Sequence, residues 1–187
     1  VHNLIGSPGA GKTSVIEKII GYLGMPEKIG VVEGDCQTDR DAQRINQLGT
    51  PVVQIVTDGG CHLNAAQVQE AVKNLPLNTI RILFIENVGN LICPAENQLG
   101  EHFKAMILSV TEGDDKPLKY PLMFQESRVL VINKIDLLPF CDCNVGLIKE
   151  RAKEINPDLT IFSVSCRSGE GLDCWIKWLS QEMDSRL

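Results

Sequence analysis

Short apolar runs alternate along the chain with segments whose apolar residues recur at helical spacing. The runs predict strands at about 1–5, 29–33, 52–56, 81–86, 105–110, 128–133 and 160–164. The other segments predict helices at about 12–23, 38–48, 64–74, 120–126, 144–155 and 171–182. This alternation is typical of a parallel sheet with helices on both faces. We therefore expect a three-layer α/β fold with a mostly parallel central sheet of about seven strands.

Local details support these elements. The run Ile82–Ile85 is continuously apolar, as in a strand that is buried on both faces. Asn144 precedes an apolar stripe and predicts a helix cap. Trp175, Trp178 and Leu179 share one helical face, which favours the core over a ligand platform. No repeat or break in composition is visible, so we expect residues 1–187 to form a single domain.

Between the first strand and the first helix lies the pattern G-x-x-x-x-G-K-[ST], which spans Gly6 to Thr13. Glycines allow the backbone N–H groups of such a loop to surround phosphates, and the helix N-terminus favours the same charge. Lys12 would reach the β/γ-phosphates, and the Thr13 hydroxyl would bind Mg²⁺. A Gly-rich turn before a helix is the alternative. The predicted nucleotide-binding residues of this P-loop are Gly6, Ser7, Pro8, Gly9, Ala10, Gly11, Lys12, Thr13 and Ser14.

Composition excludes several classes of function. Apolar residues make up 43% of the 187 residues and the net charge is −6, so no basic surplus favours nucleic acid. The longest apolar runs are too short for a membrane span. The seven cysteines are expected to be thiols or metal ligands rather than disulfides, because a P-loop substrate indicates a cytoplasmic protein. The chain begins at Val1 without Met, so we expect any N-terminal extension to be absent or clipped.

Two carboxylates follow predicted strands at the edge where open α/β sheets bind ligands. Asp35 follows the second strand and Glu86 ends the fourth. Mg²⁺ takes one or two protein carboxylates, so either residue could bind the ion or orient the attacking water. Gly89 would present its N–H to the γ-phosphate. The alternative is that each carboxylate only caps the next helix.

The base is predicted by N-K-x-D, which spans Asn133 to Asp136. A carboxylate at Asp136 would accept hydrogen bonds from guanine N1–H and its 2-amino group, while Lys134 would lie along the base. Ser165 and Cys166 follow the last strand, where backbone contacts to guanine O6 are expected. We therefore predict GTP and GDP as substrate and product.

Cys61, His62 and Cys93 offer thiolate and imidazole ligands, which suit Zn²⁺ or Ni²⁺. Three ligands leave a tetrahedral site incomplete unless water or a second subunit completes it. From spacing alone, two buried thiols and a surface histidine are the stronger alternative. Cys141 and Cys143 are expected to be an incidental pair.

Longer blocks extend these motifs, and they resemble the HypB family of hydrogenase nickel-incorporation GTPases, of the SIMIBI class, along essentially the whole chain. The blocks are Glu33–Asp39, Gly60–Leu63, Ile85–Ala95 and Ser109–Pro121. The resemblance implies slow, Mg²⁺-dependent GTP hydrolysis and a GTP-favoured homodimer. It implies a nickel or zinc site at Cys61, His62 and Cys93. It further implies as partners the hydrogenase large-subunit precursor and other nickel-delivery proteins.

This sequence departs from the family pattern around the Cys-His pair. Asp58 and Gly59 stand where the family usually has Gly-Lys, and Asn64 stands where it has Asp, which leaves metal affinity open. Alternative functions are a passive nickel or zinc chaperone and a GTPase of a urease or cobalamin pathway. A small-molecule kinase is disfavoured by N-K-x-D.

Overall fold

All seven strands predicted from the apolar runs are present, and every pair of neighbours in the sheet is parallel. The computed structural model describes residues 1–184. The strands are β1 His2–Ile5, β2 Ile29–Asp35, β3 Val52–Val56, β4 Ile82–Glu86, β5 Phe103–Ser109, β6 Ser127–Asn133 and β7 Thr160–Ser163. Their order across the sheet is β3-β2-β4-β1-β5-β6-β7, which places β1 in the centre.

Helices cover the sheet at α1 Lys12–Leu23, α2 Arg40–Asn46, α3 Ala65–Val72, α4 Cys93–Glu96, α5 Lys116–Lys119, α6 Pro121–Gln125, α7 Val145–Ile155 and α8 Leu172–Asp184. Short 3₁₀ helices occur at Pro26–Lys28, Val110–Glu112 and Ile135–Phe140. The six helices expected from periodicity are present, although α2 is shorter than predicted. The helices α4 and α5 were not predicted, because each has four residues and a proline in its first turn, too short to show a helical period.

Successive side chains along a strand point to opposite faces of the sheet, so the apolar core is divided between the two faces. On β5, Ala105 and Ile107 join the cluster that includes residues of α1 and α8, while Met106 and Leu108 join the cluster that includes residues of α6 and α7. This is the result expected for strands buried on both sides. A third cluster packs α3 against β2 and β4.

The predicted helix cap and the predicted core tryptophan are both confirmed. Asn144 Oδ1 accepts a hydrogen bond from the Leu147 N–H at 3.1 Å. Trp175 is 1% exposed, and its ring lies 5.5 Å from that of Phe162 and 5.6 Å from that of Trp178. The last helix is therefore anchored by aromatic packing.

The seven cysteines are free thiols, in agreement with the sequence expectation. Within residues 1–184, none of the helices combines the length and apolar character that a membrane crossing requires.

The topology fixes where a ligand site can form. The sheet extends from β1 in two directions, with β2, β3 and β4 on one side and β5, β6 and β7 on the other. Open parallel sheets bind ligands beyond the carboxyl ends of their strands at such a switch point. The loop that follows β1 lies there.

Trp175→Ala should destabilise the protein by about 3–5 kcal/mol, because it removes a fully buried ring and leaves a cavity between α8 and the sheet. Urea unfolding followed by circular dichroism measures this change. Tyr22→Ala is the control, since Tyr22 is 61% exposed and should change the free energy of unfolding by less than about 0.5 kcal/mol. Similar unfolding midpoints for the two variants would contradict the assignment of Trp175 to the core.

Candidate functional site

The P-loop, residues 6–13, joins the end of β1 to the start of α1, and two of its glycines are sterically required. A Cβ on Gly6 would lie 2.2 Å from the Ile107 carbonyl oxygen, and one on Gly11 would lie 2.4 Å from Asn133 Nδ2. Both glycines have positive φ, of 148° and 99°. The loop can therefore follow this path only with glycine at these positions.

Lys12 folds back over the loop. Its Nζ donates to the carbonyl oxygens of Gly6 at 3.3 Å and Ser7 at 3.2 Å, and the residue is 7% exposed. Burial lowers the pKa of this ammonium, and the nearby carboxylate of Glu86 opposes the shift. A buried cation next to backbone N–H groups suits an anionic ligand such as a phosphate.

Thr13 and Glu86 meet at the edge of the sheet, where Thr13 Oγ1 donates to Glu86 Oε1 at 2.8 Å. Glu86 is 4% exposed, and burial raises its pKa to about 7. Its Oε2 has no hydrogen-bond partner among the described residues. A hydroxyl and a carboxylate together form the hard oxygen donor set that Mg²⁺ prefers.

Asp35 lines one cavity together with Thr13 and Glu86, but it also supports a turn. Its Oδ1 accepts hydrogen bonds from the N–H groups of Gln37 at 2.7 Å and Thr38 at 2.8 Å. Asp35 therefore supports the turn before α2 and does not cap that helix, whose N-cap residue is Asp39. Glu86 instead bonds to the P-loop through Thr13.

Glu33 is a site residue that sequence reasoning missed. It is 2% exposed, pairs in register with Glu86 across β2 and β4, and its Oε2 has no partner among the described residues. Burial, followed by repulsion from Glu86, raises its pKa to about 8. Glu33 lies two residues before Asp35 on one strand, so their shared face was readable from the period of two. Acidic oxygens of Glu33, Asp35 and Asp41 lie within 4.8 Å of one another.

These groups line a cavity of about 440 Å³ together with the P-loop and Gly89. Four carboxylates, at positions 33, 35, 41 and 86, face three basic side chains, Lys12, Arg44 and Lys134. Arg44 is already paired with Glu17 and Asp41. A triphosphate in this cavity therefore requires an added cation, and the oxygen donors present fit Mg²⁺.

A second cavity of about 310 Å³ adjoins the first and is lined by four of the five predicted base-binding residues, all except the buried Ser165. Asn133 Nδ2 donates to the Ala10 carbonyl oxygen at 3.0 Å, so the end of β6 is fastened to the P-loop. Lys134 Nζ reaches the Gly9 carbonyl oxygen at 2.6 Å. Ser165 Oγ donates to Asp136 Oδ1 at 2.5 Å and fixes that carboxylate beside the cavity.

Cys166 also lines the second cavity. Its N–H donates to Asn133 Oδ1 at 3.3 Å, and burial raises the pKa of its thiol to about 11. The loops after β6 and β7 thus meet where a base would lie beyond the phosphates. The structure brings all the predicted nucleotide-binding residues to one edge of the sheet.

The three predicted soft ligands also converge. Cys61 Sγ lies 2.9 Å from Cys93 Sγ and 3.4 Å from His62 Nδ1, and the three ligand atoms fall within 4.8 Å of one another. The hydrogen bond to Cys61 raises the pKa of the Cys93 thiol. Cys61 is exposed and the other two are half-buried, so the group faces outward. Two thiols and an imidazole at these distances suit Ni²⁺ or Zn²⁺.

The departures from the family pattern have local explanations. Asp58 and Gly59 have positive φ of 48° and 90°, and the Gly60 N–H bonds to the Thr57 carbonyl oxygen at 2.9 Å. This is the geometry of a tight turn that favours Asp-Gly. Asn64 caps α3 in a capping box with Gln67, which aspartate could also do. Asp58, Gly59 and Asn64 are therefore suited to the tight turn and the helix cap that this loop forms.

Glu112 is a second residue that sequence reasoning left unassigned. It forms a capping box with Ser109, and its Oε2 accepts a hydrogen bond from Ser7 Oγ of the P-loop at 2.5 Å. The S-x-x-E pattern at 109–112 carried that signal.

Cys141 and Cys143 pack against the apolar cluster that includes residues of α6 and α7. They belong to neither group of potential metal ligands found in residues 1–184.

Comparison with known proteins agrees with this geometry. The nucleotide-binding domain described as CobW/HypB/UreG matches residues 1–163. The hydrogenase maturation factor HypB of Azotobacter vinelandii is 50% identical over 187 residues, a match that covers 100% of this chain and 62% of that protein. The chain spans about 60% of the length of the first curated relatives that it matches.

Two solved structures share the whole fold. A crystal structure of HypB from Helicobacter pylori in complex with nickel has a TM-score of 0.93 at 36% identity, covering 99% of this chain and 87% of that one. HypB from Archaeoglobus fulgidus has a TM-score of 0.90 at 37% identity, covering 97% and 89%.

Gly89→Ala should weaken nucleotide binding by about tenfold, because the new Cβ would lie 2.7 Å from Pro8 N and displace the P-loop. Titration of a fluorescent GDP analogue measures the change. Gly21→Ala is the matched control, since a Cβ there meets no atom within 4 Å. Unchanged nucleotide affinity in Gly89→Ala would refute the close packing of Gly89 on the loop.

Without nucleotide or magnesium, the protein should become less stable as the pH rises from about 5 to 8.5. The folded state raises the pKa of Glu33 to about 8 and of Glu86 to about 7, from an ordinary value of 4.5. Between these values the folded state binds more protons than the unfolded state, so stability falls with rising pH. Thermal unfolding across this range should show the fall.

Glu33→Gln should flatten that pH dependence, because glutamine keeps the shape of the side chain and removes its titration. Glu150→Gln, on the exposed face of α7, is the control and should leave the slope unchanged. An equal slope in wild type and Glu33→Gln would show that Glu33 does not titrate in this range.

Proposed function

This chain belongs to the CobW/HypB/UreG family of nucleotide-binding proteins and, within it, to the HypB maturation factors, and on that premise we propose that it is a GTP-hydrolysing metallochaperone for nickel. Residues 1–187 would act as a single G domain that helps to insert nickel into a [NiFe]-hydrogenase precursor. One observation carries this proposal. A cluster of three soft ligands lies on the loops that follow β3 and β4, and the loop after β4 also lines the cavity that contains the P-loop.

The guanine-nucleotide part of the proposal is supported by the two adjoining cavities. The phosphates would lie at the P-loop in the first cavity, and the base would lie between Lys134 and Cys166 in the second. Asp136, held by Ser165, would accept the two guanine donors. Adenine lacks those donors, so we expect discrimination against ATP.

Hydrolysis would depend on charge and position. Mg²⁺, when bound, would neutralise charge on the β- and γ-phosphates, held by Thr13 with Asp35 or Glu86. Lys12 would stabilise the same developing charge from the P-loop. Asp35 or Glu86 would orient the attacking water. Gly89 would present its N–H to the γ-phosphate from the loop after β4.

The metal would be cargo rather than a catalytic group. Cys61, His62 and Cys93 supply three ligands, while Zn²⁺ in structural sites takes four. A second copy of the chain, related by a two-fold axis, would bring a second set of the same three ligands. We therefore propose that GTP favours a homodimer that holds the metal and that hydrolysis permits transfer to a cytoplasmic hydrogenase precursor.

The test combines turnover with metal content. Purified protein should hydrolyse GTP in the presence of Mg²⁺ and should not hydrolyse ATP, and Lys12→Ala should abolish turnover. The double variant Cys61→Ser/Cys93→Ser should lose bound Ni²⁺ while its fold is unchanged. Cys174→Ser, which alters an exposed thiol on α8, is the control and should keep both properties. Tight nickel binding without any GTP turnover would instead support a passive chaperone.

A further inference from the structure

Two asparagine side chains connect the predicted metal site to the nucleotide cavity. The metal site has two halves, since Cys61 and His62 follow β3 and Cys93 begins α4. Each half donates a backbone N–H hydrogen bond to an asparagine side chain in the segment Asn87–Asn90. That segment begins directly after Glu86, and its residues 87–89 line the phosphate cavity.

Asn87 holds the half that contains Cys61 and His62. Its Oδ1 accepts hydrogen bonds from the Leu63 N–H at 3.1 Å and the Val88 N–H at 3.0 Å. Leu63 follows His62 directly and is fully buried. One oxygen atom therefore bonds to the metal-binding loop and to the phosphate-facing segment at the same time.

The position of Asn87 is itself constrained. It is 1% exposed, its own N–H donates to the Leu4 carbonyl oxygen at 3.0 Å, and its Nδ2 lies 3.4 Å from Asn3 Oδ1. These contacts lead to β1, the strand that carries the P-loop. Polar groups buried to this extent stay hydrogen-bonded, so the side chain cannot release Leu63 without cost.

Asn90 holds the other half. Its Oδ1 accepts hydrogen bonds from the Ile92 N–H at 2.7 Å and the Cys93 N–H at 3.3 Å. Its own N–H donates to the Gly6 carbonyl oxygen at 3.1 Å, which pairs this residue with the first residue of the P-loop. Between the two asparagines, Gly89 packs directly on Pro8.

We infer that Asn87 and Asn90 are positioning residues that set the separation of the Cys61 and Cys93 sulfurs according to the nucleotide bound. The inference rests on the proposed function and adds to it the route by which phosphate and metal communicate. Metal–ligand distances tolerate deviations of only about 0.2 Å. A small shift of residues 87–90 against the γ-phosphate, passed to both loops, is therefore sufficient to change metal affinity.

An asparagine that only anchors a loop predicts a different result. Loss of an anchor weakens metal binding by the same factor whichever nucleotide is bound. Loss of a connection between the sites removes the dependence of metal affinity on the nucleotide. The informative quantity is therefore the ratio of nickel affinities in the GDP and GTP-analogue forms, and not either affinity alone.

The experiment titrates Ni²⁺ into protein saturated with Mg²⁺ and either GDP or a non-hydrolysable GTP analogue. Wild type should show a ratio of about fivefold or more between the two forms, as is typical of coupled sites. In Asn87→Ala and in Asn90→Ala the ratio should fall to within about twofold of one. In wild type, Ni²⁺ should change the ratio of the affinities for GDP and the GTP analogue by the same factor. In the two variants, Ni²⁺ should leave that ratio nearly unchanged.

Asn64→Ala is the matched control. Asn64 Oδ1 also accepts a backbone N–H hydrogen bond, from Gln67 at 2.9 Å, and lies in the same metal-binding loop. It caps α3 and makes no described contact with the segment Asn87–Asn90. This variant should keep the wild-type ratio even if its nickel affinity falls.

The outcomes separate the inference from the proposed function. A ratio of one in wild type would contradict the nucleotide-dependent switch itself. A wild-type ratio retained in both Asn87→Ala and Asn90→Ala would overturn the inference and leave the switch intact. If Asn87→Ala is unfolded by circular dichroism, Asn90→Ala decides the question, since Asn90 is only half-buried and its loss should be tolerated.

Discussion

The close approach between the P-loop and the loop after β4 is the constraint on which the site depends. Gly89 packs on Pro8 with no room for a side chain, and Asn90 pairs with Gly6. Asn133 fastens the loop after β6 to the other side of the P-loop. The ends of β1, β4 and β6 are thus packed around the P-loop, so a shift in any one of them would alter the surroundings of a phosphate bound there.

Electrostatics makes this assembly dependent on cations. More acidic than basic side chains line the phosphate cavity, and two of the acidic ones, Glu33 and Glu86, are buried. Burial disfavours the charged form of these two carboxyl groups, so their pKa values are raised and they keep their protons to a higher pH than exposed glutamates. A bound magnesium ion would take over the role of those protons. Binding of nucleotide and magnesium would therefore be linked to protonation of these two carboxyl groups.

Much of the fold and of the site was predictable from the sequence, because both depend on local patterns. All seven strands and the resemblance to the HypB family are confirmed. The order of the strands and the four-residue helix that begins at Cys93 were not predictable, since they are set by contacts between distant residues. Glu33 was missed because it reads as part of an apolar strand, although it shares a face with Asp35.

The asparagines show the same limit at finer scale. Asn87 and Asn90 lay inside a block that carries the family resemblance, yet the sequence gives no indication of what their side chains contact. Leu63 lies 24 positions before Asn87 in the chain, and only the fold brings the two together. Hydrogen bonds of this kind are formed by tertiary structure and leave no periodic trace in a sequence.

The strand order has a consequence for how the protein is made. The central strand β1 is synthesised well before its two partners, which begin at Ile82 and Phe103, so it cannot be seated until both of those segments are available. Pairings between such distant segments form slowly. The phosphate loop attached to β1 is therefore completed late, and capture of a nucleotide would report that the domain has finished folding.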